Sequence, residues 1–261
     1  MTQFSRLRRL VATGAVLSLG TFASVVYASH AWGNYHWART ANPLSLKLGD
    51  NVSDIWDTHL ALASTNWSQS LVLDTNIVTG QANPKNCRAT NGRVEVCNSR
   101  YGNNGWLGIA SIWANGNHIT QGTVKLNDTY FNTTKYNTPA WRNLVMCQEV
   151  GHTFGLSHQD ETFDNPPLGT CMDYTNDPTP NQQPNLHDYE ELETIYTHLD
   201  SSTTALSPLP SASASDIDTT DPKEWGKAIR KSSNGRNSLY ERNLGQGRKL
   251  FTFVYWADQE E

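Results

Sequence analysis

Clustered positive charge is missing from almost all of this 261-residue chain. Twenty Lys and Arg stand against 25 Asp and Glu, a net charge of -5. No Lys/Arg-rich run follows the N-terminus, which argues against nucleic acid as a partner. A second long apolar run is missing as well, so past the first residues no segment reads as a bilayer span. No internal repeat is found. Cysteine is scarce: Cys87, Cys97, Cys147 and Cys171 are the only four, and none stands in a Cys-x-x-Cys spacing. That argues against a thiolate metal centre and leaves disulfides as their expected use.

What is present begins with a leader. Arg6, Arg8 and Arg9 precede a short apolar stretch from Leu10 to Val26, and Val26-Tyr27-Ala28 offers small residues at a cleavage spacing. Residues 1–28 therefore read as a signal peptide. The expected product is secreted, with no stable membrane association once the leader is removed. Export permits disulfides, and four cysteines allow three pairings. Cys87 and Cys97 flank Asn91-Gly92, a hairpin turn signal, so they are paired across a hairpin. That leaves Cys147 with Cys171.

Residues 29–47 are aromatic and without clear period. Ser53 to Ser68 has apolar residues at helical spacing, and Ser70 to Val78 alternates like a strand. Gly105 to Trp113 reads as a buried strand, and Ile119 to Tyr130 as a strand exposed on one face. Thr138-Pro139 opens a helix, because proline fits the first turn. Asp188 to Leu199 reads as a last helix. The composition shifts near residue 201: residues 201–221 are rich in Ser, Thr and Pro and read as a linker. Residues 222–261 form a tail with a hairpin turning at Gly245-Gln246-Gly247. It is too small to hold a core alone, so it is expected to dock on the main domain, residues 29–200.

The chemistry is concentrated between residues 148 and 158. Gln148 and His152 are four apart on a helix and share a face. Gly155 can turn the chain back and bring His158 to the same point. Glu149 stands beside the first of them. Three ligands with one position left for water, and a carboxylate at hand to take that water's proton, is the layout of a catalytic zinc site.

This stretch resembles the metzincin zinc peptidases, whose signature is His-Glu-x-x-His-x-x-Gly-x-x-His followed by a Met-turn. The chain matches at Glu149, His152, Gly155 and His158, with Met172 following in Cys171-Met172-Asp173-Tyr174. The resemblance runs from about residue 105 to 199. It implies an α+β catalytic domain of the matrixin, astacin and serralysin kind: a twisted mixed sheet, an active-site helix, the Met-turn and a C-terminal helix. It implies zinc as cofactor, Glu149 as general base, Met172 supporting the site from below, and Tyr174 as a candidate ligand or oxyanion donor. A Cys147–Cys171 bridge would tie the active-site helix to the Met-turn.

The chain departs from the signature at Gln148, where the family has histidine. Either the Gln148 amide oxygen binds the ion, or another imidazole such as His118 or His187 replaces it, or the metal has been lost. His36, His59 and His198 have no companions in the sequence and read as surface or packing residues. The expected activity is hydrolysis of internal peptide bonds in a protein or peptide substrate, which would pair with the strand at Ile119 to Tyr130 as an added antiparallel strand. The chain is expected to act as a monomer. The rival expectation is a secreted binding module without catalysis. Side-chain specificity, the natural substrate and the role of the tail cannot be read from the sequence.

Overall fold

Leu44, Leu46 and Leu48 point inward while Ser45 and Lys47 face out, and this alternation makes the strand β2 (Leu44–Asn51). Burying three leucines stabilises that strand by roughly 5 to 9 kcal/mol. The structure, a computed structural model, describes residues 29–205, 217–232 and 235–258. The leader, its cleavage site and most of the Ser/Thr/Pro-rich segment lie outside the described residues. The remaining elements are β1 (His36–Trp37), α1 (Asp54–Trp67), β3 (Leu73–Thr79), β4 (Arg93–Ser99), β5 (Trp106–Asn115), β6 (His118–Asn127), α2 (Asp128–Phe131), α3 (Pro139–His152), α4 (Leu186–Ile195), β7 (Lys227–Lys231), β8 (Asn237–Gly245) and β9 (Arg248–Trp256). None of the helices among the described residues is long and apolar enough to cross a membrane.

The class is α+β, a large mixed sheet with few helices. The strand order is β3-β2-β4-β6-β5-β9-β8-β7, with β1 paired to β6. The strands from β3 to β6 run parallel to one another, and those from β5 to β7 are antiparallel to their neighbours. The tail's strands thus continue the same sheet as the body's.

Two expectations change here. The strand at Ile119 to Tyr130 is not an edge. It lies in β6, between β4 and β5, and both its flanks are paired. The flank of β5 away from β6 is the one that receives an added strand, and β9 takes it from Trp106 to Asn115. Nor is there a hairpin between Cys87 and Cys97. The disulfide forms, with Cα atoms 6.0 Å apart, but Cys87 lies in the loop before β4. Strand β4 pairs parallel to β2 and β6. The turn at Gly92 (φ 75°) feeds that strand because the Gly92 amide donates to the Thr120 carbonyl.

Helix α3 starts as its sequence requires. Pro139 occupies its first turn and the Thr138 hydroxyl accepts from the Trp141 amide. The carbonyls at its end lack helical partners, and distant aromatic donors satisfy them. Trp32 Nε1 donates to the His152 carbonyl at 3.1 Å, Trp37 Nε1 to Thr153 at 2.8 Å and the Tyr196 hydroxyl to Phe154 at 3.0 Å. The aromatic stretch from Trp32 to Trp37 thus fixes the end of α3.

Candidate metal centre

Gln148, Glu149 and His152 lie on the last turns of α3, and all three are buried. Beyond the helix, Gly155 adopts φ 108°, a conformation that disfavours other residues, and the chain doubles back. His158 then meets His152, with the two Nε2 atoms 3.1 Å apart. Each ring is tied at its other nitrogen. His152 Nδ1 donates to the Leu156 carbonyl at 2.8 Å, and His158 Nδ1 to Glu161 Oε1 at 2.9 Å. Both Nε2 atoms are therefore left with lone pairs that face each other.

Burial drives both imidazoles below their ordinary pKa, and in His152 the His158 ring adds to the effect. Both rings are thus neutral at pH 7, the form that binds a metal. The Gln148 amide donates from Nε2 to the Cys171 carbonyl at 2.7 Å and to Asp173 at 3.2 Å. Its Oε1 is buried without a hydrogen-bond partner. Two facing imidazole nitrogens suit a divalent cation such as zinc, and the orphaned Gln148 oxygen is a further donor on the same helix. Two zinc-bound nitrogens at about 2.0–2.1 Å in tetrahedral geometry stand about 3.3 Å apart, close to the spacing of the two Nε2 atoms.

The floor is close-packed. A Cβ on Gly151 would lie 2.7 Å from Met172 Sδ and 2.6 Å from the Trp67 ring, so only glycine lets Met172 sit against the helix there. The Cys147–Cys171 disulfide, Cα to Cα 5.9 Å, joins the helix to the same turn. Gly108 on β5 performs the matching service on the other side. A Cβ there would meet Val145 Cγ1 at 2.5 Å and Glu149 Oε1 at 2.9 Å.

The C-terminal strand covers the centre. The Phe253 ring stacks on His152, centroids 3.9 Å apart and planes 11° from parallel. The Tyr174 hydroxyl donates to the Val254 carbonyl, and its ring stacks on Tyr255. The Glu149 carboxylate lies against the backbone of Tyr255 and Ala110 but makes no well-formed hydrogen bond. Burial raises its pKa well above the usual carboxylate range. Glu161, the partner of His158, also accepts from the Ser238 hydroxyl at 3.1 Å and lies 3.7 Å from Arg230. The tail therefore reaches the site from β7, β8 and β9.

Two expected stand-ins for Gln148 lie elsewhere. His118 Nε2 is 3.2 Å from Asp200, and His187 packs on His30 with centroids 4.7 Å apart. The residues that sequence reasoning misses are Phe253, Glu161 and the backbone of β9. Ser238-Leu239-Tyr240 and Lys249 to Trp256 do signal a hairpin, but nothing local says what it will cover. Compared with known proteins, the chain matches no family model and no curated sequence.

Proposed function

We propose that this chain is an exported zinc-dependent endopeptidase with a metzincin-like catalytic domain, held closed by its own C-terminal strand. The observation that carries the reading is the pair of facing Nε2 atoms 3.1 Å apart, each ring anchored through Nδ1, with His152 one helical turn beyond Gln148, whose amide oxygen has no partner. Gln148 Oε1, His152 Nε2 and His158 Nε2 are the atoms that would hold the ion. Zinc at such a site supplies a Lewis acid for the scissile carbonyl and a water of lowered pKa. The two disulfides and the leader fit export.

The protein's own groups account for the remaining steps. With β9 displaced, the free flank of β5 offers its backbone to an extended peptide, which pairs antiparallel as β9 does. Solvent returning to the cleft lowers the Glu149 pKa and frees the carboxylate to take a proton from water and pass it to the leaving amine. Tyr174, released from the Val254 carbonyl, can donate its hydroxyl to the oxyanion. A second reading, a binding module without catalysis, draws on the same closed cleft: a strand that never leaves would make the centre silent.

Phe253→Pro separates the two readings. Residue 253 pairs with Ala110 on one side and Leu239 on the other, so a proline there breaks a ladder bond whichever neighbour takes the amide. It also removes the ring on His152. Full-length Phe253→Pro with zinc should cleave casein at least about tenfold faster than the natural chain. Adding Glu149→Gln should lower that rate by roughly 10² to 10⁴. A folded Phe253→Pro protein that binds zinc and cleaves nothing would support the binding module.

A further inference from the structure

A second set of imidazoles converges away from the covered centre. His36 lies on β1, His118 begins β6, and His198 and Asp200 follow α4. Asp200 Oδ1 lies 3.2 Å from His118 Nε2, 3.5 Å from His36 Nε2 and 3.6 Å from His198 Nε2. The donor atoms of His36, His198 and Asp200 all fall within 4.8 Å of one another. The His36 ring stands edge-on to both others, with centroids 5.0 Å from His118 and 4.8 Å from His198.

Hydrogen bonding alone does not account for this cluster. A carboxylate oxygen has about two lone-pair sites, and three ring nitrogens face this one. His36 is 5% exposed. Its Nδ1 donates to the Asn34 carbonyl at 2.9 Å, and its buried Nε2 has no well-formed hydrogen bond. The other Asp200 oxygen accepts from the Arg39 amide at 3.0 Å, so the carboxylate is oriented with Oδ1 inward. An anchored ring nitrogen on His36 and an anchored carboxylate on Asp200 are the supports that metal ligands carry. The spacings around Asp200 match the separation of about 3.3 Å between two atoms bound to one tetrahedral zinc.

We propose that His36, His198 and Asp200 form a second zinc site, with His118 holding the Asp200 carboxylate from the side. A cleft of about 460 Å³ lined by His36, His118, His198 and Glu191 gives the ion access. Two imidazoles and one carboxylate suit zinc over magnesium or calcium, which prefer all-oxygen ligands. The site would pin the N-terminal segment, the β5–β6 turn and the chain after α4 to one point. It is therefore a structural clamp, and it does not depend on the peptidase reading.

The test is zinc titration of the full-length, disulfide-bonded chain, read by metal content and by thermal shift. The natural chain should bind two ions, and zinc should raise its melting temperature. His198→Ala changes a side chain that is 59% exposed, so it should fold as before, lose one ion and lose most of the thermal shift. Asp200→Asn and His118→Gln should weaken the same ion by at least about tenfold. His152→Ala should remove the other ion and leave this one. Unchanged stoichiometry and affinity in His198→Ala and Asp200→Asn would overturn the site, as would a natural chain whose only ion disappears with His152→Ala. A chain whose only ion disappears with His198→Ala would keep this site and remove support for the catalytic one.

Discussion

Ala110 on β5 has Val124 beside it on one flank and Phe253 on the other. Both neighbours are antiparallel and both are fully buried. The ladders are alike, but what they cover is not. Strand β6 returns to β5 through the tight turn at Gly116-Asn117. Strand β9 arrives from the far end of the chain, and the Phe253 flank places a ring on His152, a carbonyl on the Tyr174 hydroxyl and backbone beside Glu149. The same pairing thus serves as frame on one side and as cover on the other. Local connection separates the two, because a strand held by a short turn re-forms at once, whereas one tethered through a long segment must be recaptured.

The largest effect should come from breaking the framing flank. Val124→Pro orphans a ladder bond between β6 and a buried neighbour, at a cost of about 3 kcal/mol or more. For a chain of this size that lowers the main melting transition by about 10 °C. Phe253→Pro should leave that main transition in place and loosen the tail in a separate, earlier step. Calorimetry of the two variants checks this. One shared transition lowered equally in both would make β9 an integral strand, and the comparison would fail.

A smaller effect tests the framing strand where it meets the approach to the tail. Lys125 on β6 is buried, and burial pulls its pKa down to about 8, against the opposing charge of Asp218 in the segment before β7. The unfolded chain then binds more protons than the folded one between pH 8 and 10.5. Stability rises through that window, and the cost is complete below it. Lys125→Met should stabilise the fold at pH 7 by up to about 3 kcal/mol, with the gain shrinking toward pH 10.5. Urea midpoints at several pH values measure it, and a gain independent of pH would mean that the lysine charge is not its source.

How much of this is legible in the sequence follows from how local each feature is. The return of His158 to His152 can be read because Gly155 and the four other intervening residues bring it about. The start of α3 can be read from Thr138-Pro139, and both cysteine pairings are found in the structure. The hairpin expected at Asn91-Gly92 is the instructive error. The turn signal is real, but β4 finds its partners in β2 and β6, and a short-range motif carries no information about parallel pairing. The strand β2 hides beside an aromatic stretch that looks irregular, because its tryptophans answer to carbonyls at the end of α3. The Asp200 cluster gathers histidines that look solitary, each from a different part of the chain. The place of Phe253 is the least legible, since nothing near residue 253 records that β5 has a free flank.

The most direct test of the central claim is an anomalous-scattering map at the zinc edge from crystals of the full-length chain grown with zinc. The account predicts a peak about 2.0–2.1 Å from both His152 Nε2 and His158 Nε2, beside Gln148 and beneath Phe253. Nε2 atoms still 3.1 Å apart with no anomalous peak between them at saturating zinc would contradict it.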